Sequence, residues 1–368
     1  MMKEEMKRPE WVPTDGENQD AFATTVMKGT LQPKRQKRTF QKRTVSTEEL
    51  VEGVRNNNRT LLAQAITLVE SNAAKHHQKA QEIIQRILPD TGNSIRIGIT
   101  GVPGAGKSTF IEAFGTMLCE NNHKVAVLAV DPSSTLTGGS ILGDKTRMER
   151  LVQQEHAFVR PSPSGGALGG VSRRTRETML LCEAAGYDVI LVETVGVGQS
   201  EGMVRDMVDF FLLLSLTGAG DELQGIKRGI LELADGILIN KADGDNRVRA
   251  LQTVGLYSQM SHLFQPATVG WEVHVGTCSA LYYEGLEDFW NEIKRFETVT
   301  KKSGIFTNRR NKQKRHWLYS SIRDELEQRF FSNPAMKQLL SRYEHDIMNG
   351  TQTVTKAVMQ LMENYENK

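Results

Sequence analysis

The chain has 368 residues, 39% hydrophobic and 24% charged, with a formal net charge of +2. That length allows one large α/β domain with helical additions, or two domains, and so small a net charge argues neither for nor against a nucleic-acid partner. The cysteines, Cys119, Cys182 and Cys278, show no C-x-x-C spacing, which excludes a disulfide framework and a cysteine-built metal site and points to a reduced intracellular setting.

Residues 1–45 carry little apolar periodicity and a basic run at Lys34, Arg35, Lys37, Arg38, Lys42 and Arg43. They read as a disordered tail or as a mitochondrial presequence, with Glu4, Glu5, Glu10 and Asp15 counting against the latter. Folding is expected to begin at Ser46, a helix-capping residue followed by Thr47-Glu48-Glu49. Across 46–92, Leu61, Leu62, Ala65, Ile66, Leu68 and Val69 recur at helical spacing. Ile83, Ile84, Ile87 and Leu88 close a third helix before Pro89.

Between 93 and 303 the pattern alternates. Strands are predicted at 95–100, 124–130, 158–160, 189–192, 211–216, 236–239 and 273–278, with helices between them, including 107–120, 172–185 and 246–262. Near-continuous apolar strands alternating with helices imply an α/β fold with a doubly wound, mostly parallel sheet, whose ligands bind at the carboxyl ends of the strands. The longest apolar run, 210–216, is too short to span a bilayer, so the chain reads as soluble with no membrane partner. Residues 304–368 open on a basic stretch, 309–315, read as a solvated helix face or a contact for phosphate-rich partners. Three amphipathic stripes follow: Leu318, Ile322, Leu326 and Phe330; Leu340, Tyr343 and Ile347; and Val354, Val358, Leu361 and Tyr365. They suggest an appended arm for dimerisation.

The chemistry is concentrated at the strand ends. Gly101, Val102, Pro103, Gly104, Ala105, Gly106, Lys107, Ser108 and Thr109 spell G-x-x-x-x-G-K-[ST] between a strand and a helix. Backbone N–H groups of such a loop cradle phosphates, aided by the positive end of the helix; Lys107 reaches the β- and γ-phosphates and the Ser108 hydroxyl holds Mg²⁺. Asn240, Lys241 and Asp243 form N-K-x-D after a strand. The Asp243 carboxylate accepts from guanine N1–H and the 2-amino group, adenine having neither, so GTP and GDP are favoured over ATP. Asn240 bridges the base edge to the loop and Lys241 lies across the purine face. Cys278, Ser279 and Ala280 form a supporting loop whose Ala280 N–H meets guanine O6. Asp131, Asp144 and Glu193 are candidate Mg²⁺ ligands at strand ends or in loops, and the Gly196 N–H approaches the γ-phosphate. Val197 stands where a Ras-like enzyme has the glutamine that orients water, so unassisted hydrolysis is expected to be slow.

Together with the long segments 129–134, 138–148, 181–188, 193–201, 220–227 and 240–245, these motifs resemble the MeaB/ArgK family of P-loop GTPases, the group containing the methylmalonic aciduria type A protein. The resemblance covers roughly 46–350; Ala219 and the Tyr282-Tyr283 pair depart from it. It implies the P-loop GTPase fold of the metallochaperone-related branch, GTP hydrolysis, and homodimerisation through the C-terminal helices. The implied partner is an adenosylcobalamin-dependent acyl-CoA mutase, chiefly methylmalonyl-CoA mutase, whose cofactor loading such a chaperone gates and which it protects or reactivates. Asp131, Asp144 and Glu193 match the switch carboxylates, and Lys227 matches a lysine of the third mobile loop with a charge-stabilising or partner-facing role. Lys107, Glu193 and Lys227 are thus the catalytic candidates. The implied compartment is the mitochondrial matrix in a eukaryote and the cytoplasm in a bacterium. The organisation expected is a tail at 1–45, helices at 46–92, the GTPase domain at 93–303 and the arm at 304–368. Three other readings stay open: a P-loop kinase passing phosphate to a transport-system protein or small acceptor, a metallochaperone GTPase, and a non-hydrolysing scaffold.

Overall fold

A computed structural model of the chain describes residues 45–71, 73–130, 148–161, 168–194, 201–217 and 228–366. Three helices come first: α1 (Thr47–Arg55), α2 (Arg59–Glu70) and α3 (Ala74–Ile87). The cap expected at Ser46 is present, its side chain accepting from the Glu49 N–H at 3.0 Å, and Asn58 caps α2 in the same way.

A seven-stranded sheet follows, with β1 (Ile95–Gly101), β2 (Val125–Val130), β3 (Ala157–Arg160), β4 (Val189–Thr194), β5 (Phe210–Ser215), β6 (Gly236–Ile239) and β7 (His274–Thr277). Their order is β3-β2-β4-β1-β5-β6-β7, and every pairing is parallel. All seven strands expected from the sequence are found, β6 with the expected bounds and the others with ends that differ by a residue or two. Between them run α4 (Lys107–Glu120), α5 (Glu149–Gln153), α6 (Leu168–Ala184), α7 (Glu201–Arg205), α8 (Arg228–Leu231) and α9 (Arg247–Ser261). Then come α10 (Leu286–Lys302), α11 (Ile305–Ser332), α12 (Pro334–Met348) and α13 (Val354–Glu366).

Successive strand residues point to opposite faces, and the cores follow that alternation. Ile97, Ile99, Phe210 and Leu212 pack with Phe110 and Phe114 of α4 and Phe289 and Phe296 of α10. On the other face Ala126, Leu128, Ile190, Val192 and Phe211 pack with Leu62 and Ile66 of α2, Ile83 and Ile87 of α3, and Leu181 and Cys182 of α6. A third cluster joins Leu213, Ile237 and Ile239 to Ala250 and Tyr257 of α9. The N-terminal helices therefore complete one face of the sheet. Burying each such side chain contributes roughly 1.5–3 kcal/mol.

The basic stretch at the start of α11 corrects one expectation. Arg309 and Arg310 are not on a solvated face. Arg310 forks onto Asp209, with Nε to Oδ1 at 2.8 Å and Nη2 to Oδ2 at 2.6 Å, and also donates to the carbonyls of Gly92 and Ser94. Arg309 lies beside Asp235 and donates to the Asp209 carbonyl and Thr268 Oγ1, while Arg205 of α7 pairs with Asp235 at 2.9 Å. Asp209 and Asp235 are both fully buried. They lie beside the N-terminal ends of β5 and β6, opposite the ends where nucleotide motifs fall. Two buried carboxylates at those positions require cations, which α11 supplies together with Arg205 of α7.

Further along, α11 leaves the core. Leu318, Ile322 and Leu326 are exposed, whereas Met336, Ala357 and Leu361 are buried within the arm and Phe330 packs on Tyr365. Among the described residues no helix is long and apolar enough to cross a membrane.

Candidate functional site

The loop after β1 sits at the carboxyl end of the central strand. Gly106, the residue before α4, has φ +81°, and a Cβ there would lie 2.9 Å from Asn240 Nδ2; a larger residue would be strained and would collide with the guanine loop. A Cβ on Gly101 would meet the Leu214 carbonyl oxygen at 2.2 Å, so β1 and β5 approach closely only because that residue has no side chain. The Ala105 N–H closes the turn onto the Val102 carbonyl at 3.1 Å, while Pro103 and Thr109 are exposed. The backbone is thus curled at the N-terminus of α4, the geometry that gathers N–H groups on an anion.

Lys107 folds back along this loop, its Nζ donating to the Gly101 carbonyl at 2.9 Å. Burial lowers its pKa below the usual lysine value, and the charges of Glu193 and Glu201 offset part of that. Those carboxylates favour the protonated ammonium, and it is this positive charge beside the loop that is suited to phosphate. Ser108 Oγ donates to Glu193 Oε1 at 3.3 Å, and Glu193 is 5% exposed at the end of β4. Behind them Thr194 Oγ1 donates to Thr100 Oγ1 at 3.0 Å, tying β4 to β1.

Two hard oxygens, the Ser108 hydroxyl and the Glu193 carboxylate, thus converge beside the phosphate loop. That donor set fits Mg²⁺, which takes one or two protein oxygens plus phosphates and water. Among the described residues no three His, Cys, Asp or Glu side chains cluster as an all-protein metal cage. Asp131, Asp144, Gly196 and Lys227, and with them Val197, lie outside the described residues.

The guanine-reading side is assembled through Asn240, which is buried. Its Nδ2 donates to the Ala105 carbonyl at 2.8 Å, and its Oδ1 accepts from the Ala280 N–H at 3.1 Å. The Cys278 thiol also donates to Oδ1 at 3.5 Å; burial pushes that thiol up to about 12, so it keeps its proton. One amide therefore joins the phosphate loop, the N-K-x-D loop and the loop after β7. In this arrangement Asn240 is occupied with loops, and the Ala280 N–H expected to meet guanine O6 donates to Asn240. Asp243 is oriented by Ser279, whose Oγ donates to Oδ2 at 2.6 Å. Lys241 is exposed with φ +59°, a left-handed conformation. Asn246 holds it there, donating from Nδ2 to the Lys241 carbonyl at 2.7 Å and accepting from Thr217 Oγ1 at 2.7 Å. Sequence reasoning missed Asn246, although an Asn three residues after the motif is an Asx-type turn signal. It also missed Glu201 as a charge on Lys107. Tyr282 and Tyr283 are exposed.

Comparison with known proteins gives the family. The family model "Methylmalonyl Co-A mutase-associated GTPase MeaB" matches residues 62–335. "GTPase ArgK" of Escherichia coli is 47% identical over 315 residues, covering 86% of this chain and 95% of that protein. "Methylmalonic aciduria type A homolog, mitochondrial" of Mus musculus is 41% identical over 331 residues, covering 87% of this chain and 80% of the mouse protein. Among solved structures, one described as "LAO/AO transport system kinase" superposes with a TM-score of 0.70 at 40% identity, covering 87% of this chain and 97% of that one. The match spans the phosphate loop, β4 with Glu193, the guanine loop and all of α11, and the chain belongs to the MeaB family of GTPases.

Proposed function

We propose that this GTPase is a nucleotide-timed chaperone of an adenosylcobalamin-dependent acyl-CoA mutase, methylmalonyl-CoA mutase first among them, gating cofactor loading and protecting or reactivating the enzyme. The observation that carries this reading is the match of residues 62–335 to a family described as mutase-associated. The site supports it physically, since the GTP pocket joins segments that lead both into the core and towards the arm. Phosphoryl transfer to an acceptor is not favoured, the Escherichia coli relative being named a GTPase.

In this reading GTP lies between the loop ending at Lys107 and the Asp243 carboxylate. Lys107 neutralises the phosphates, and the Gly196 N–H approaches the γ-phosphate. Ser108 and Glu193, with Asp131 and Asp144, would hold Mg²⁺, an ion that would supply positive charge to the phosphates. Lys227 meets that charge or the partner. The base is read by Asp243, oriented by Ser279, with Lys241 across the purine and Ala280 presenting its N–H once Asn240 yields it. Val197 offers attacking water no hydrogen bond, so the partner is expected to complete the hydrolytic site.

The arm serves homodimerisation. Leu318, Ile322 and Leu326 place three exposed apolar side chains along one stripe of α11, and an apolar stripe of this kind marks an association surface.

The test is to mix the protein, loaded with GTP, GDP or a non-hydrolysable GTP analogue, with methylmalonyl-CoA mutase apoenzyme. Complex formation and phosphate release are followed with and without adenosylcobalamin. The reading predicts a nucleotide-dependent complex, faster GTP hydrolysis in it, and cofactor transfer that depends on hydrolysis. A mutase that neither binds nor alters GTP turnover overturns it.

A further inference from the structure

On the sheet face that carries α6, a cleft of about 260 Å³ is enclosed by α6, α7 and α11. Its walls include Trp317, Met203, Ser172, Ser320 and Ser321, and Arg176 of α6 lines it from below. Arg176 is only 8% exposed. Its Nη2 donates to the Asp206 carbonyl at 2.9 Å, its Nε is buried without an acceptor, and its guanidinium lies 5.9 Å from the Trp317 ring centroid. The carboxylates nearby do not neutralise it. Asp206 turns Oδ2 to His316 Nδ1 at 3.0 Å, Asp324 sits exposed on the rim, and the neighbouring Arg173 is taken by Glu177 at 3.3 Å. Burial lowers the Arg176 pKa to about 10, only partly offset by Asp206.

A guanidinium stays charged in a protein and presents five N–H donors in a fork that fits oxyanions. Burying one with a single backbone acceptor is costly, and the vacancy beside it is bounded by hydroxyls and an aromatic ring. We infer that this cleft is a second ligand site, separate from the GTP pocket, for a small molecule with an oxyanion group, phosphate ester or carboxylate, on a compact apolar body. The oxyanion pairs with Arg176 and accepts from the serine hydroxyls, and the apolar body lies against Trp317 and Met203. A volume near 260 Å³ limits the occupant to about the size of one substituted ring, below the range of drug-sized pockets.

The test uses full-length protein saturated with GDP, so that the nucleotide site is filled. Phenyl phosphate, benzoate and inorganic phosphate are each titrated while tryptophan fluorescence is read; among the tryptophans of the described residues, Trp317 is the one that lines the cleft. Expected is a saturable change with phenyl phosphate or benzoate, the tighter of the two naming the oxyanion, and a weaker one with inorganic phosphate, which lacks the apolar body. The change disappears in Trp317→Phe and its midpoint rises at least tenfold in Arg176→Met. Ser320→Tyr, which fills the cleft and leaves Arg176 in place, abolishes it too, and this guards against misfolding of the Arg176 variant. No saturable change with any probe overturns the inference, as does a midpoint unmoved by both Arg176→Met and Ser320→Tyr.

Discussion

Removing the Asn240 side chain tests how the nucleotide site is held together. In Asn240→Ala the Ala105 carbonyl loses a donor at 2.8 Å and the Ala280 N–H loses an acceptor at 3.1 Å. Each buried group left unpaired costs about 1–3 kcal/mol; bound guanine takes up the Ala280 N–H, so the cost that persists in the nucleotide complex is that of the stranded Ala105 carbonyl alone. The loops it joins are the phosphate loop and both guanine loops, so most of this cost falls on the site and little on the sheet beneath. At about 1.4 kcal/mol per tenfold change in affinity, GDP binding weakens by roughly 5- to 100-fold. The assay is titration calorimetry of GDP and GTP, paired with thermal unfolding of the nucleotide-free protein to separate site loss from global loss. Asn240→Asp keeps the acceptor for Ala280 but sets a carboxylate oxygen against the Ala105 carbonyl, and is expected to be at least as damaging. If Asn240→Ala bound GDP within threefold of the wild type, the bridge would not be what organises the pocket.

The arm's anchor is open to the same reasoning. Arg310→Met strands the fully buried Asp209 carboxylate and is expected to destabilise the protein by about 3–5 kcal/mol in urea unfolding. The double variant Arg310→Met with Asp209→Asn recovers part of that loss, and no recovery would refute charge pairing as the cause. Acid sensitivity is expected at His274, whose pKa burial lowers from 6.5 while Glu292 opposes the shift. The unfolded chain then binds more protons between the folded-state value and 6.5, so stability falls as pH drops through that window. His274→Asn should flatten the pH dependence of the urea midpoint there, and an unchanged slope counts against this assignment. Ile322→Glu with Leu326→Glu is expected to leave GTP binding intact and to halve the mass seen by light scattering; an unchanged mass removes this stripe as the dimer contact.

Much of the site was legible because its chemistry is local in sequence. The phosphate loop needs glycines at fixed offsets and a helix directly after them, and Gly106 with φ +81° shows why no other residue serves there. Asp243 likewise declares guanine through its own acceptor pattern. Less legible were the side chains acting at a distance. Asn240 carries the right identity for a base contact, yet its amide spans to Ala105, 135 positions away in the chain. Lys312, Lys314 and Arg315 of the basic stretch are exposed as a solvated helix face should be, but Arg309 and Arg310 are not, because their partners Asp235 and Asp209 lie on other elements. Arg176 carried no signal at all, since its isolation arises only where three helices meet.

Order of strands and helices, the nucleotide class and the position of the phosphate loop were written in the sequence, because periodicity, turn chemistry and capping act over a few residues. Which N-terminal helices complete the sheet, which arginines of α11 are buried, and where an unpaired cation faces a cleft were decided only by the tertiary structure. Those properties depend on desolvation and on partners brought together by folding, and no window along the chain contains both halves of such a pair.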